Sequence, residues 1–385
     1  MKRKQRRNCL FATVVLLFSL ALASCAADPG VQRPIDAAAY ASFAADLVAD
    51  EISALYDDYA AYYTPLEYRL LYEDFQGSFG GVGISMLQID NEVTVYSIVA
   101  GSPAEGSGIA VGDVIVAVDG QEISDGDTSA AAALIRGEVG KAVTLSLRRG
   151  ADAGLYEVTI IRDVIISDTV SGANLPDYPG AAYIGISGFN DLTNSEFAEL
   201  YQQLNEERAI DKLILDLRSN GGGNFYSCIA IAEYFVPLNH VVVSEKTVLG
   251  REIYRSAKGN LHGVQIVVLQ NAYTASASEV LIGALRDEAD AILVGSASFG
   301  KGITQSVRQL PSGSGHRYTC SIYFTPSGFS LHGLGLEPDI IVEDPQQGDA
   351  RDYFSLDPSL NAHLQAALDY LFPAAATDAG ADAAP

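Results

Sequence analysis

The stretch NAYTASASEVLIGALRDEADAILVGSASFGKGITQ, residues 271–305, decides how this 385-residue chain is read. It follows VQIVVLQ (264–270), a β-branched apolar run, and beyond Ser276 the pattern changes to apolar residues at helical spacing, Val280, Leu281, Ala284 and Leu285. Ser276 is therefore expected where a strand ends and a helix begins. A helix N-terminus presents unpaired N–H groups and a partial positive charge, which suits an attacking oxygen and the oxyanion that follows. The next strand, AILVG (291–295), runs into a loop that carries Lys301 between two glycines, with Gln305 four residues on. A third unit, KLILDLR (212–218), ends in Ser219, Asn220 and the glycines 221–223. Three strands of one sheet would thus deliver a hydroxyl, an amine and a glycine-rich turn, and in open α/β sheets ligands bind at the carboxyl ends of the strands. The spacing suggests a serine hydrolase whose base is a lysine.

Each residue also has a plainer reading. Ser276 to Glu279 fits the S-x-x-E capping box, by which the serine is a helix cap. Lys301 alone reads as a solvated surface cation. The glycine run reads as a turn, and it lacks the G-K-[ST] ending of a phosphate loop. Joint occurrence favours chemistry. A Ser–His–Asp triad stays open on His240, His262, His316, His332 and His363, of which His240, His316 and His332 fall near strand ends or loops, but none has a distinctive motif around it.

The residues Asp216 to Gly223 (DLRSNGGG), Ala275 to Glu279 (ASASE) and Phe299 to Gly302 (FGKG) with Gln305 resemble the carboxyl-terminal processing, or tail-specific, serine proteases. So do YFTPSG (323–328) and GLEPD (335–339), and the likeness covers roughly residues 50 to 345. The resemblance implies an α/β fold, a crotonase-like protease core with a PDZ domain in front of it and N-terminal helices. It makes Ser276 the nucleophile, Lys301 the general base and Gln305 the residue that orients the lysine. The backbone N–H groups of Gly222 and Ala277 would form the oxyanion hole. No cofactor is implied, and no Cys/His cluster has metal-ligand spacing. Departures from the family pattern lie at Asp58 and Ala60, where proline and a hydroxyl residue are usual, and at Ser298, where threonine is usual.

This chemistry makes a definite demand. A base must be neutral, so a lysine has to move from roughly 10.4 to about 7 or 8, on the order of 4 kcal/mol that burial and dipoles must supply. Gln305 can accept from the amine without adding the negative charge that would work against it. Gly300 and Gly302 allow close backbone approach.

Upstream, GGVGI (80–84), GSPA (101–104) and GDVIVAVDG (112–120) precede a helical stretch, 129–136, and two strands, 142–148 and 156–162. Order and glycines resemble a PDZ domain. In such domains a Gly–apolar–Gly loop receives a peptide's terminal carboxylate while the peptide adds as a strand. Gly81, Val82, Gly83 and Ile84 are the expected peptide-binding positions. The function implied is an endopeptidase that cleaves proteins near their C-termini; the alternative is an inactive lipoprotein that only binds tails through the PDZ groove.

The ends suggest an address. A basic start (Lys2, Arg3, Lys4, Arg6, Arg7) and an apolar run, 10–22, read as a signal peptide, and Leu22 to Cys25 resembles the bacterial lipoprotein box, with Cys25 lipidated. The expectation is an exported enzyme held on a membrane by its lipid. Removing residues 1–24 takes five basic residues from the 24 and leaves 19 against 48 acidic ones, a formal charge of −29. Such acidity argues against nucleic acid or anionic lipid as partners. The expected segments are 1–25 signal and lipobox, 26–78 helical, 79–163 PDZ, 164–345 protease core, 346–372 helical and 373–385 a disordered tail. A tyrosine-rich run (Tyr56, Tyr59, Tyr62, Tyr63, Tyr68) suits packing or a homodimer contact, and an adaptor remains open. Cys228 and Cys320 could form one disulfide or stay free thiols.

Overall fold

The structure, a computed structural model, describes residues 57–150, 154–344 and 354–373. These divide into two compact units, one of residues 57–68 with 305–319 and one holding the rest. In the smaller unit, β1 (Ala61–Tyr63) pairs antiparallel with residues 315–317. The carboxylate of Asp57 accepts the Thr319 N–H at 2.6 Å. Helix α1 (Pro65–Gln76) starts on a proline and a capping box: Thr64 N–H reaches Glu67 Oε2 at 2.7 Å, and Glu67 N–H reaches Thr64 Oγ1 at 3.3 Å.

The larger unit opens with β2 (Ser78–Gly81), β3 (Ile84–Ile89), β4 (Glu92–Ile98), β5 (Asp113–Val118), β6 (Gln121–Glu122), α2 (Thr128–Ile135), β7 (Ala142–Arg149), β8 (Leu155–Ile161) and β9 (Asp163–Ile166). The sheet order is β3-β4-β5-β7-β8, with β6 on β5, so β3 is an edge strand. Along β7 the side chains alternate in burial, placing Val143, Leu145 and Leu147 in a core with Val93, Val95 and Ile115. Asp127 caps α2 by accepting the N–H groups of Ser129 and Ala130 at 3.0 and 2.9 Å.

The chain continues through β10 (Val170–Asn174), β11 (Ala181–Ile186), α3 (Thr193–Glu207), β12 (Lys212–Asp216), α4 (Phe225–Phe235), β13 (Val241–Thr247), β14 (Gly250–Arg255), β15 (Gln265–Gln270), α5 (Ala277–Glu288), β16 (Ile292–Gly295), β17 (Ile303–Gln309), β18 (Gly315–Phe324), β19 (Ile340–Ile341) and α6 (Ala362–Leu371), with residues 305–319 of β17 and β18 counted in the smaller unit and the rest in the larger. Its main sheet has the order β10-β11-β12-β15-β16-β19. All pairs are parallel except β10 with β11. Strands β12 and β15 are apolar and buried nearly throughout, as a sheet covered on both faces requires. One face packs Leu213 and Leu215 with Phe197, Phe235 and Leu281 of α3, α4 and α5; the other packs Ile214 and Val267 with Leu364 and Leu368 of α6.

Local details differ from the sequence reading for identifiable reasons. KLILDLR stops being a strand at Asp216, whose carboxylate accepts both the N–H and the guanidinium of Arg218. Of the segment 346–372 expected to be helical, the helix begins only at Ala362, where Asn361 caps it by accepting the Leu364 N–H at 3.2 Å. The β3–β8 module and the main sheet lie in one compact unit; within it β2 pairs with β9, and Phe75 at the end of α1 accepts the N–H of Asp191 at 2.8 Å. Cys228 and Cys320 are free thiols. The expected signal sequence, Cys25, the helix through residues 38–56 and the tail beyond 373 lie outside the described residues. Among the described residues no helix is long and apolar enough to cross a membrane.

Candidate active site

Ser276 stands between the end of β15 and the first turn of α5 with φ 59° and ψ −118°, a backbone conformation that costs a non-glycine residue energy and persists only when its surroundings impose it. Ala275 N–H and the Ser278 hydroxyl both donate to the Asn220 carbonyl, at 3.0 and 2.9 Å, tying the turn to the loop after β12. The Thr274 hydroxyl donates to the Leu217 carbonyl at 2.8 Å. Ser276 and Glu279 form the capping box expected from the sequence, in which Glu279 Oε2 accepts the Ser276 N–H at 2.9 Å.

The same glutamate reaches the lysine loop. Glu279 is fully buried, and its two oxygens also accept the Ser298 hydroxyl (2.5 Å), the Gly300 N–H (2.7 Å) and the Lys301 N–H (2.8 Å). A second clasp closes from the other side. The hydroxyl of Tyr323, in β18, lies within 2.9 Å of the Ser276 carbonyl and 2.8 Å of the Lys301 carbonyl. Burial pushes the Tyr323 phenol far above its ordinary range, so it stays a neutral donor. One side chain therefore gathers the amides of residues 276 and 301, and another gathers their carbonyls. Lys301 itself is half-buried, in a loop where a Cβ on Gly302 would stand 2.7 Å from the His332 backbone nitrogen. Close approach there requires glycine.

Gly222 closes the site toward β12. With φ 99°, it sits where a Cβ would meet Ala275 O at 2.8 Å and both Ala277 N and Ser276 Cβ at 2.9 Å. Its N–H donates to Asn220 Oδ1 at 2.9 Å, so this expected oxyanion donor is engaged in an Asx turn. Asn220 is itself fully buried, with its amide donating to the Ile186 carbonyl at 2.8 Å. Ala277 opens α5, and its carbonyl accepts the Cys228 thiol at 2.9 Å. Gln305 belongs to the smaller unit, where its Nε2 donates to the Tyr59 carbonyl at 2.7 Å. His240 is taken up with Glu288 (2.6 Å), and His363 is buried in α6.

Gly81 ends β2, Ile84 begins β3, and Val82 and Gly83 link the two strands, which lie in different sheets. Gly83 has φ 81°, and its carbonyl accepts the Val99 N–H at 2.9 Å. Edge strand β3 has α2 beside it.

The sequence reading took Glu279 only as a cap and gave Asn220 and Tyr323 no part. Glu279 carried a signal, an acid three residues past a serine on an otherwise buried helix; Asn220 and Tyr323 carried none that local pattern could expose.

Known proteins resemble this chain along most of its length. Residues 180–342 match peptidase family S41, and residues 80–160 match a PDZ domain. A carboxyl-terminal-processing protease of Picosynechococcus is 33% identical over 331 residues, 85% of this chain and 78% of that protein. A CtpA-like serine protease of Staphylococcus saprophyticus is 33% identical over 299 residues, 76% of this chain, which spans 59% of that longer protein. A solved structure of an S41 protease from Bacteroides fragilis covers 90% of this chain and 91% of its own with TM-score 0.54 at 16% identity, a likeness of fold.

Proposed function

The chain belongs to the carboxyl-terminal processing serine peptidases of family S41, and from that premise we propose that Ser276 and Lys301 are its nucleophile and base. The observation that carries this is the double clasp, in which Glu279 and Tyr323 hold a strained serine turn and the lysine loop together. Neutral Lys301 takes the proton from the Ser276 hydroxyl as its oxygen attacks the peptide carbonyl, then returns the proton to the leaving amine. Water resolves the acyl-enzyme by the same route in reverse. The oxyanion is received by the Ala277 N–H at the start of α5 and by the Gly222 N–H, which must first exchange or share its Asn220 partner. Gln305 orients the lysine, on the likeness of motif.

The protease core is crotonase-like. The PDZ module takes the substrate's terminal carboxylate at Gly81, Val82, Gly83 and Ile84, and the tail adds as a strand along the free edge of β3. The substrate is the C-terminal tail of a protein, and the enzyme is exported and lipid-anchored through Cys25. The test is trimming of an unfolded protein with an apolar tail by the chain from residue 26. Ser276→Ala is expected to abolish trimming while still binding the tail; undiminished trimming in that variant would remove the serine from the mechanism.

A further inference from the structure

A pocket of about 260 Å³ has Gly222 in its lining and is walled by Leu71, Phe75, Phe79 and Phe189, with Glu73, Asp74 and Asn190 among its polar lining residues. Gly222 also abuts the serine turn, since a Cβ on it would stand 2.9 Å from the Cβ of Ser276. The pocket is fixed to the catalytic sheet: the N–H of Asp191 bonds the Phe75 carbonyl at 2.8 Å, and Gly77 leaves no room for a side chain against Asn190.

Glu73 is the odd member of this lining. Among the described residues its Oε2 is buried with no hydrogen-bond partner, and its Oε1 stands 3.6 Å from Arg69, a guanidinium that is half exposed. Its neighbour Asp74 is matched, by Arg136 at 2.8 Å, and Arg136 lies 4.0 Å over the Phe79 ring. A buried carboxylate oxygen left without a partner carries a desolvation cost that an incoming cation would offset. Aromatic and aliphatic walls suit the methylene stem of a long basic side chain, with the carboxylate at its charged end.

Building on the protease reading, we propose that this pocket is a substrate side-chain subsite beside the scissile bond, selecting lysine or arginine, and that Glu73 determines that specificity. A chain whose carbonyl lies against Ser276 must pass Gly222, which brings a residue flanking the bond to the pocket mouth.

The test uses peptides with an apolar C-terminus that carry one lysine, or norleucine in its place, at each position flanking the cleaved bond. Affinity is measured on the Ser276→Ala chain and kcat/KM on the wild type. At one position lysine is expected to be favoured by about tenfold or more in both readouts, and Glu73→Gln to bring that ratio close to one. The glutamine is isosteric and removes an unpaired carboxylate, so the variant is expected to melt no lower than wild type. A lysine preference absent from binding, or one that survives in Glu73→Gln, would overturn the proposal. The binding arm needs no turnover, so failure of the subsite is separable from failure of the protease reading, which would show as no cleavage of any peptide.

Discussion

Four hydrogen bonds converge on the Glu279 carboxylate, two of them from the backbone N–H groups of the proposed nucleophile and base. Glu279→Gln keeps the shape but turns a donor toward those donors, so it is expected to cost about 1–3 kcal/mol of stability. It should also lower kcat about a hundredfold through misplacement of the dyad. Thermal melting and single-turnover kinetics read the two effects separately, and unchanged kcat would show that the clasp does not position the site. Gly222→Ala meets a harder limit, a Cβ within 2.9 Å of three neighbours at φ 99°. It is expected to lower kcat by about 10²–10³, the loss of one oxyanion donor, with far less effect on tail binding. The serine and the lysine proposed for the chemistry were singled out by residue types at a spacing. Asn220 was not, because its work is done by a buried side chain that bonds two backbone groups, Gly222 N–H and Ile186 C=O, from separate strands' ends.

Elements were read well where a period was clean: β7 and β8 alternate, and β12 and β15 are buried runs between turn residues. Their ends were less legible, since they are set by individual caps such as Asp216 and Asn361 that switch the backbone between partners. The strand β5 begins on a charge the periodic reading passed over. Asp113 is fully buried beside Arg149 (2.7 Å) and the Tyr156 hydroxyl (2.5 Å). Burial raises its carboxyl, but the hydrogen bonds from Arg149 and Tyr156 outweigh that and hold it at about 2. A lowered carboxyl contributes stability above its ordinary range and loses it as pH falls toward that value. Asp113→Asn is therefore expected to lower the stability of the β3–β8 module by about 2 kcal/mol at neutral pH. It should also flatten the acid transition between about pH 4 and pH 2. Circular dichroism across that range checks both, and an acid transition identical to wild type would contradict the assignment.

At the scale of the whole molecule, the formal charge of −24 speaks to solubility and partners rather than to fold. The grouping of residues 57–68 with 305–319 was invisible to local reading, because Tyr59 and Gln305 meet across 246 residues of sequence. The pairing of β2 with β9 was hidden for the same reason, since the two strands flank the whole β3–β8 module. What could be read over that distance was the likeness of motifs, and it led to the family. The central claim is that this chain cuts with a serine activated by a lysine. The most direct measurement is kcat for tail cleavage by Lys301→Ala, with circular dichroism confirming an intact fold. A fall of at least about a thousandfold is expected, as loss of a general base should produce. A folded Lys301→Ala enzyme that trims tails at the wild-type rate would remove the lysine from the mechanism.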